Sequence, residues 1–364
     1  MEKRYDSQVV TAWVQAIFAA WGFNAADSQT IAQTIIDTDL HGIASHGVQR
    51  VQMYDRFLRW GRIKQTAAPA VVHETDISAV VDGHFAMGQL VGIYSMNLAI
   101  QKAKQHGFGI VATRNSNHYG VAGYYANLAA DAGLIGFSST NTGPGMIPTN
   151  ALKGFLGTDP IGFAMPATPH HFIFDVATTT VPQGKVELYL KEGKDLPALW
   201  VAKDGQTPVY SHDATVLAGL RDAQSTVGLV PLGGISEFTG SHKGYGLAMI
   251  VEIFTGILAQ GNVSHEISDQ DPTAGICQSY IALDPSLFGD KAAIYQRFSA
   301  YLEALRALPA VPGKRVYVHG DKEAAAYTDR IRHGLKIDAQ TYSELVAISK
   351  RLGVDYQPYL DAFN

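Results

Sequence analysis

The sequence predicts an α/β (α+β) protein in which helices from both ends of the chain flank a central part that forms a sheet. Apolar residues in roughly the first sixty positions recur at helical spacing, and the pattern is helical again near the C-terminus. Between these ends, short apolar runs alternate with helical segments, as strands joined by helices do. We therefore expect a helical part in residues 1–72, an α/β domain in residues 73–288, and a mainly helical part in residues 289–364 that packs on the first.

Three helices are predicted before residue 62. The first is indicated by apolar residues at helical spacing, namely Val9, Val10, Trp13, Ile17 and Phe18. The second follows candidate N-cap residues in 25–28 and runs towards Leu40. The third begins near Ser45, a candidate N-cap, and continues to about Leu58, before Gly61.

Strands and helices alternate through the middle of the chain. The apolar runs and the glycine and proline breaks between them set the expected bounds. Strands are predicted at 78–81, 108–113 and 134–140, helices at 88–105, 120–132 and 243–259, mostly strand at 153–208 with a helix after Pro182, and a helical tail from about 290 with one strand at 315–318.

Composition excludes several classes of function. The formal net charge is −5, which argues against a nucleic-acid partner, since phosphate binding usually needs a basic face. The single cysteine, Cys277, permits no internal disulfide. No signal peptide or apolar run of membrane-spanning length is present in the sequence, so we expect a cytoplasmic protein without a membrane partner.

Familiar nucleotide and metal motifs are absent or misplaced. The glycines in 107–112 match a short dinucleotide-binding fingerprint, but they precede a strand where the motif requires a strand before them. Residues 240–244 contain the residue types of a P-loop in the wrong order. The adjacent His170 and His171 would point to opposite faces of a strand. We therefore expect no metal site.

The first cluster that could carry chemistry lies on the predicted third helix. His46, Arg50 and Tyr54 are spaced by four residues, which would place them on one helix face. Such a stripe suits a carboxylate, because arginine binds a carboxylate through two parallel hydrogen bonds. The alternative is a solvated helix face that carries no ligand.

Two more clusters surround glycines. Residues 114–120 follow an apolar strand and precede a helix, and His118 is there the best-placed proton-transfer group. Residues 240–246 open the long apolar helix and include Lys243, a combination that suits a pyrophosphate. A capping loop and a flexible loop, respectively, are the alternatives.

Taken together, the motifs resemble the type-2 malate/L-lactate dehydrogenase family nearly from end to end. That family also includes sulfolactate, ureidoglycolate and diketogulonate enzymes and a cyclic-imine reductase. The resemblance rests on the order and spacing of the motifs at 45–47, 116–120, 156–160, 174–179, 184–185, 231–234 and 242–246, with Arg50 and Tyr54. It implies a non-Rossmann NAD(P)-binding domain with a mixed, largely antiparallel sheet, a helical domain built from both termini, and a homodimer.

The resemblance also implies roles for individual residues. His118 would exchange a proton with the substrate oxygen, with His46 as the second candidate, and Arg50 and Tyr54 would hold the substrate carboxylate. The cofactor is expected to be NAD, with NADP possible. The positions implied for its binding are Thr142, Asp175, Val176, Ala177, Lys243, Gly320 and Asp321.

The chain departs from the family pattern at several positions. Asp159 stands where asparagine is usual, Asn150 and Ala151 replace a glycine pair, and 319–321 differ in the segment that bears on NAD or NADP. The leading hypothesis is hydride transfer between NAD(P) and a small 2-hydroxy or 2-oxo acid such as malate, lactate, ureidoglycolate or sulfolactate. The alternatives are reduction of a cyclic imino acid or diketo sugar acid, and a non-catalytic metabolite-binding relative.

Overall fold

The computed structural model describes residues 4–211, 215–222, 224–268 and 271–361. The α-helices are Ser7–Ala20 (α1), Ala25–Leu40 (α2), Val51–Arg59 (α3), Gly88–His106 (α4), Ala122–Asp131 (α5), Gln183–Lys191 (α6), Thr215–Arg221 (α7), Ser241–Glu252 (α8), Lys291–Arg306 (α9), Asp321–His333 (α10), Ala339–Leu352 (α11) and Gln357–Asp361 (α12). The strands are Ala70–Glu74 (β1), Ser78–Asp82 (β2), Phe108–Ser116 (β3), Ile135–Thr140 (β4), Ile161–Met165 (β5), Phe172–Val176 (β6), Val201–Lys203 (β7), Thr207–Pro208 (β8), Val227–Leu229 (β9) and Ile276–Leu283 (β10). No described helix combines the length and apolar character needed to cross a membrane.

The main sheet has seven strands in the order β1-β2-β3-β10-β4-β5-β6, so the prediction of a mixed α/β protein is confirmed. Only β2 and β3 run parallel to each other within this sheet. Strand β10 lies at its centre, with Ser279 opposite Ala112 of β3 and Ser139 of β4. Apolar side chains of α4 and α5 cover the sheet and form a common core with it. A second sheet, β8-β7-β9, has its own core with α6 and α7.

A separate core joins the two ends of the chain. Buried side chains of α1, α2 and α3 pack with Leu335, Leu345 and Ile348 from the C-terminal segment. The fully buried Trp13 of α1 also donates a hydrogen bond from Nε1 to Ser349 Oγ of α11, at 2.9 Å. The division at residues 72 and 289 stays a prediction, but helices from both termini do share one apolar cluster.

The C-terminal segment differs from its prediction in two respects. Helix α9 packs on the sheet, because Phe298 meets Phe172 of β6 edge to face and Tyr295 donates to the carbonyl of Gly133. The strand predicted at 315–318 is wrong, since these residues form no regular structure. This segment passes β6 with one long backbone hydrogen bond, from Ile173 N to His319 O at 3.5 Å, so no ladder forms there.

The predicted third helix is interrupted, which corrects the expected start at Ser45. Residues 44–46 and 48–50 form separate 3-10 turns, and α3 begins only at Val51. The cause is the buried Asp39, whose carboxylate accepts from Val48 N at 2.6 Å. That carboxylate fills the space a side chain at Gly47 would need. His46, Arg50 and Tyr54 therefore share no single α-helix, and Ser45 caps none.

Burial raises the pKa of Asp39 to about 7, although the hydrogen bond from Val48 N and the charge of Arg330 oppose this effect. An acid whose pKa is higher in the folded state loses stability as pH rises from its unfolded value towards its folded value. The asparagine side chain has the same shape and no charge. We therefore predict that Asp39→Asn gains stability relative to the wild type between pH 4.5 and pH 8, by at most about 4 kcal/mol at about 1.4 kcal/mol per pKa unit.

Denaturant unfolding of both proteins at the two pH values measures this difference directly. A constant gap between the proteins across the range would show that Asp39 is already ionised at pH 4.5. Asp27, a half-buried residue in the first turn of α2, supplies the matched control Asp27→Asn.

Candidate functional site

A cavity of about 770 Å³ opens where the N-terminal turns, the loop after β3, the loop after β4 and helix α6 meet. Its volume lies in the range that small-molecule and cofactor sites occupy. Charged side chains are prominent in the wall, and cations outnumber anions. The charged residues are Arg50, Arg56, Arg62, Lys191, Glu187 and Asp222, and the two histidines are His46 and His118.

His118 is held at this cavity by the buried loop that follows β3. The fully buried Asn117 donates from Nδ2 to the carbonyls of Phe85 and Ala86, at 3.0 Å each. The start of α4 presses on the loop so closely that a side chain at Gly88 would overlap the carbonyls of Asn117 and His118. These contacts of Asn117 and Gly88 hold the loop in place, so His118 has little freedom to move.

The ring of His118 is hydrogen-bonded from behind. Tyr54 Oη lies 2.8 Å from His118 Nδ1, and Gly120 N donates to the same atom at 3.3 Å. Gln89 Nε2 donates to Tyr54 Oη at 2.8 Å. Tyr54 is fully buried and its hydroxyl makes both of these contacts. A contact between Tyr54 and the substrate carboxylate stays a prediction.

His46 lies directly beside His118. The two rings stack with centroids 5.6 Å apart and planes 18° apart, although 71 residues separate them in sequence. Ser45 Oγ lies 2.9 Å from His46 Nδ1. Burial and the nearby charge of Arg50 lower the pKa of His46 to about 3, while Glu187 acts in the opposite direction. His46 is therefore neutral over the ordinary pH range.

Arg50 reaches the cavity but is already paired. Its Nε donates to the carbonyl of Ser45 at 2.6 Å, and its Nη1 contacts Glu187 Oε2 of α6 at 2.9 Å. Helix α6 approaches so closely that a side chain at Gly184 would overlap the guanidinium. A substrate carboxylate that binds two nitrogens of this guanidinium therefore shares at least one of them with Ser45 or Glu187.

The cavity is strongly electropositive around His118. Burial lowers the pKa of His118 well below its usual range, and the neighbouring His46, Arg50 and Arg62 lower it further. Each of these effects disfavours the charged imidazolium. An anion placed among these groups would relieve the repulsion, so the wall favours a negatively charged ligand.

The residues implied for cofactor binding are not all at the cavity. Thr142 lines it, together with the other residues of 140–144. Thr142 N donates to the buried Asp159, and Thr142 Oγ1 accepts from Thr158 N at 2.9 Å. Asp175, Val176 and Ala177 are at the end of β6, outside the described cavity wall, where Asp175 Oδ2 accepts from Gly123 N at 2.7 Å.

Lys243, Gly320 and Asp321 also lie outside the described wall of the cavity. Lys243 is exposed in the first turn of α8. Gly320 has a φ of 100° and precedes α10. Although burial acts the other way, hydrogen bonds from Arg306 and from Val318 N lower the pKa of Asp321 to about 2. Asp321 thus anchors its own turn, and a cofactor contact there stays a prediction.

Three residues at or behind the cavity were missed by sequence reasoning. Glu187 follows Pro182 on a helix that the sequence indicated only weakly, and Gln89 lies in the first turn of the apolar helix α4. Arg62 is buried and lies over the ring of Phe57. Of these three residues, only Arg62 stands out in the sequence, because it is a charged residue directly before the apolar Ile63. Among the described residues, no group of histidine, cysteine, aspartate or glutamate side chains is arranged to hold a metal ion.

Comparison with known proteins agrees with this geometry. A sequence model of the malate/L-lactate dehydrogenase family matches residues 5–346. A malate dehydrogenase from Pyrococcus horikoshii is 35% identical over 346 residues, which cover 94% of each chain. The crystal structure of malate dehydrogenase from Entamoeba histolytica superposes with a TM-score of 0.93 at 30% identity, over 98% of this chain and 99% of that one. A delta1-piperideine-2-carboxylate reductase from Pseudomonas syringae pvar. tomato has a TM-score of 0.81 at 25% identity, over 95% and 99%.

Proposed function

Since the chain belongs to the malate/L-lactate dehydrogenase family, we propose that it transfers a hydride between NAD(P) and the alpha carbon of a small 2-hydroxy or 2-oxo carboxylic acid. The observation that carries this proposal is the meeting of His118, His46 and Arg50 at one electropositive cavity. A proton-transfer group and a carboxylate-binding group are what reduction of a 2-oxo acid requires of the protein.

In this mechanism, hydride addition to the carbonyl carbon leaves negative charge on the oxygen, and His118 supplies the proton that this oxygen takes up. Arg50 orients the substrate through its carboxylate, which takes the place of Glu187 at the guanidinium. His46 is the second candidate for the acid, and its stacking on His118 also fixes the plane of that ring. In oxidation of the 2-hydroxy acid the same groups act in reverse.

The cavity also has room for the reactive half of a nicotinamide cofactor. Its volume of about 770 Å³ exceeds what a small hydroxy acid fills. Thr142 and the other residues of 140–144 line the same cavity as His118. When bound, the cofactor supplies or accepts the hydride. We keep Asp175, Val176, Ala177, Lys243, Gly320 and Asp321 as proposed contacts for the rest of it, with NAD as the leading form and NADP as the alternative.

A second candidate substrate is a cyclic imino acid, and the solved piperideine-carboxylate reductase favours it. Such a substrate has a carboxylate for Arg50 and accepts a hydride at a carbon next to it. Reduction of a diketo sugar acid and a non-catalytic, metabolite-binding role are the competing hypotheses. Retention of His118, His46 and Arg50 at one cavity argues against the non-catalytic role.

We further propose a cytoplasmic homodimer with a non-Rossmann cofactor domain and a helical domain built from both termini. The shared core of the terminal helices supports the last point. The end of α8 and the π-helical turn that continues it support the dimer, because they expose an apolar face that a second copy would cover. The exposed residues are Leu247, Ile250, Ile253, Ile257 and Leu258.

The first test is a panel of 2-oxo acids and cyclic imines, followed by nicotinamide absorbance with NADH and with NADPH. We expect turnover of at least one acid, and a rise in melting temperature with the preferred cofactor alone, since a ligand that binds only the folded state stabilises it. No turnover and no shift with either cofactor at millimolar concentration would reject the dehydrogenase function.

Arg50→Lys is the second test. Lysine keeps the charge but loses the planar pair of donors, so we expect kcat/KM for the 2-oxo acid to fall about 10²-fold or more. Cofactor binding should hardly change. Arg59→Lys on the exposed side of α3 is the matched control, because Arg59 pairs with Asp55 away from the cavity. Near-normal kcat/KM in Arg50→Lys would place the carboxylate elsewhere.

The third test compares His118→Ala with His46→Ala. General acid catalysis contributes about 10²–10⁴-fold, so His118→Ala should lose activity on that scale while it still binds cofactor. Because the pKa of His118 is lowered, the charged acid becomes scarcer as pH rises, and reductive kcat/KM should still be increasing as pH falls through 6.5. If His46→Ala abolishes both the rate and this pH dependence while His118→Ala keeps them, His46 is the acid.

A further inference from the structure

Two fully buried side chains lead by hydrogen bonds to the proposed acid. Gln89 in the first turn of α4 is fully buried, as is Tyr54 of α3. Gln89 Nε2 donates to Tyr54 Oη, and Tyr54 Oη contacts His118 Nδ1, each at 2.8 Å. Neither Gln89 nor Tyr54 is part of the described cavity wall. Their influence on a substrate would therefore act through His118.

The direction of these hydrogen bonds determines which ring nitrogen of His118 carries a proton. Gly120 N can only donate, and it points at His118 Nδ1. Tyr54 accepts from Gln89, which leaves its own proton for the same nitrogen. With Nδ1 accepting, the ring is neutral and carries its proton on Nε2. In this direction His118 offers the cavity a hydrogen-bond donor that is a weak acid.

The opposite direction is also available. Gln89 Oε1 is buried and has no hydrogen-bond partner among the described residues. The two ends of a carboxamide have nearly the same shape, so a half-turn of the amide would present this oxygen to Tyr54. Tyr54 would then donate to Gln89 and accept from His118 Nδ1–H. That arrangement offers an acceptor to a charged imidazolium, and also to a neutral ring whose Nε2 is free to accept a proton, and it requires Gly120 N to give up its 3.3 Å contact with Nδ1.

We propose that Gln89 and Tyr54 form a reversible hydrogen-bond relay that selects the protonation state of His118. This inference rests on the proposed role of His118 as the acid and base of the reaction. In reduction, the reversed relay holds the imidazolium, whose Nε2 proton passes to the substrate oxygen and leaves a neutral ring with its proton on Nδ1. In oxidation that same neutral ring receives the proton of the hydroxyl. Gln89 and Tyr54 are positioning residues, since neither gives up a proton.

The other groups around His118 do not select its protonation state. His46 faces it from the 3-10 turn, Arg50 from the turn before α3, and Arg62 from the segment after α3, and all three make the imidazolium less favourable. A guanidinium can only donate, so neither arginine can offer Nδ1 an acceptor. The ring of His46 lies plane to plane with His118, away from the ring edge that carries Nδ1. Among the contacts the structure describes, only the reversed relay offers that nitrogen an acceptor.

Gln89→Glu and Gln89→Leu separate the two directions. An ionised glutamate can only accept, so it should lock the reversed relay and move the pKa of His118 upward by about one pH unit or more. Leucine offers neither donor nor acceptor, so it should give no upward shift and should lower reductive kcat about tenfold or more with KM nearly unchanged. The readouts are the ring-nitrogen NMR shifts of ¹⁵N-histidine-labelled protein, assigned with His118→Ala, and the pH profile of reductive kcat/KM.

The double variant Tyr54→Phe/Gln89→Glu tests whether residue 89 acts on His118 through the hydroxyl of Tyr54. Without the hydroxyl, most of the upward shift should disappear, because residue 89 no longer reaches the ring. Tyr295→Phe, which removes a hydroxyl contact with the carbonyl of Gly133 outside the described cavity wall, is the control and should leave the His118 titration unchanged. Equal titration of His118 in both Gln89 variants, or a full shift that survives Tyr54→Phe, would overturn the relay. A raised KM with unchanged kcat in Tyr54→Phe would instead support the prediction that Tyr54 binds the substrate carboxylate.

The NMR titration needs no substrate. If no 2-oxo acid or imine is turned over but Gln89→Glu raises the pKa of His118 and Gln89→Leu does not, the relay stands and the proposed function fails. If turnover is seen and His118 does not respond to Gln89, the function stands and the relay fails.

Discussion

The site depends above all on one buried amide, that of Asn117. Its Nδ2 donates to the carbonyls of Phe85 and Ala86, which lead into α4, and the backbone carbonyl of Asn117 accepts from Gln278 Nε2 of the central strand at 2.9 Å. These bonds tie the loop after β3 to two elements that the sequence places far apart. A buried polar group left without partners is costly, so the loop has little freedom to leave this position. His118 is the next residue in the chain, so its position is restricted as well.

A second constraint is electrostatic, and it links substrate binding to proton transfer. His118 is surrounded by His46, Arg50 and Arg62, and its pKa is lowered mainly because it is buried. A bound carboxylate would add the missing negative charge and favour the imidazolium. Because linkage is reciprocal, protonation of His118 must strengthen binding of the same anion. Without substrate, Glu187 supplies part of this negative charge, since it pairs with Arg50 and acts to raise the pKa of His46.

Sequence reasoning captured the elements whose signal is local. The periodic helices α1, α2 and α4 and the apolar strands β2 to β4 were predicted near their observed bounds, because propensity and burial agree there. It failed where a distant group decides the conformation. Asp39 forces the break at Gly47, and no pattern near residue 45 reveals that contact. It also gave no sign of the contact between Tyr54 and His118, because spacing by four does not distinguish a residue in a cavity wall from one behind it.

The same limit explains why the relay could not be read from the sequence. His118, Tyr54 and Gln89 come from a loop, α3 and α4, and each is ordinary among its neighbours in the chain. Their meeting depends on the terminal helices packing against the start of α4, where Met87 joins the core of the terminal helices just before Gln89. The helical ends of the chain therefore do more than cover the sheet. They bring a phenol and two turns that carry His46 and Arg50 to a histidine held by the sheet, and the chemistry of His118 then depends on groups from both sides of that contact.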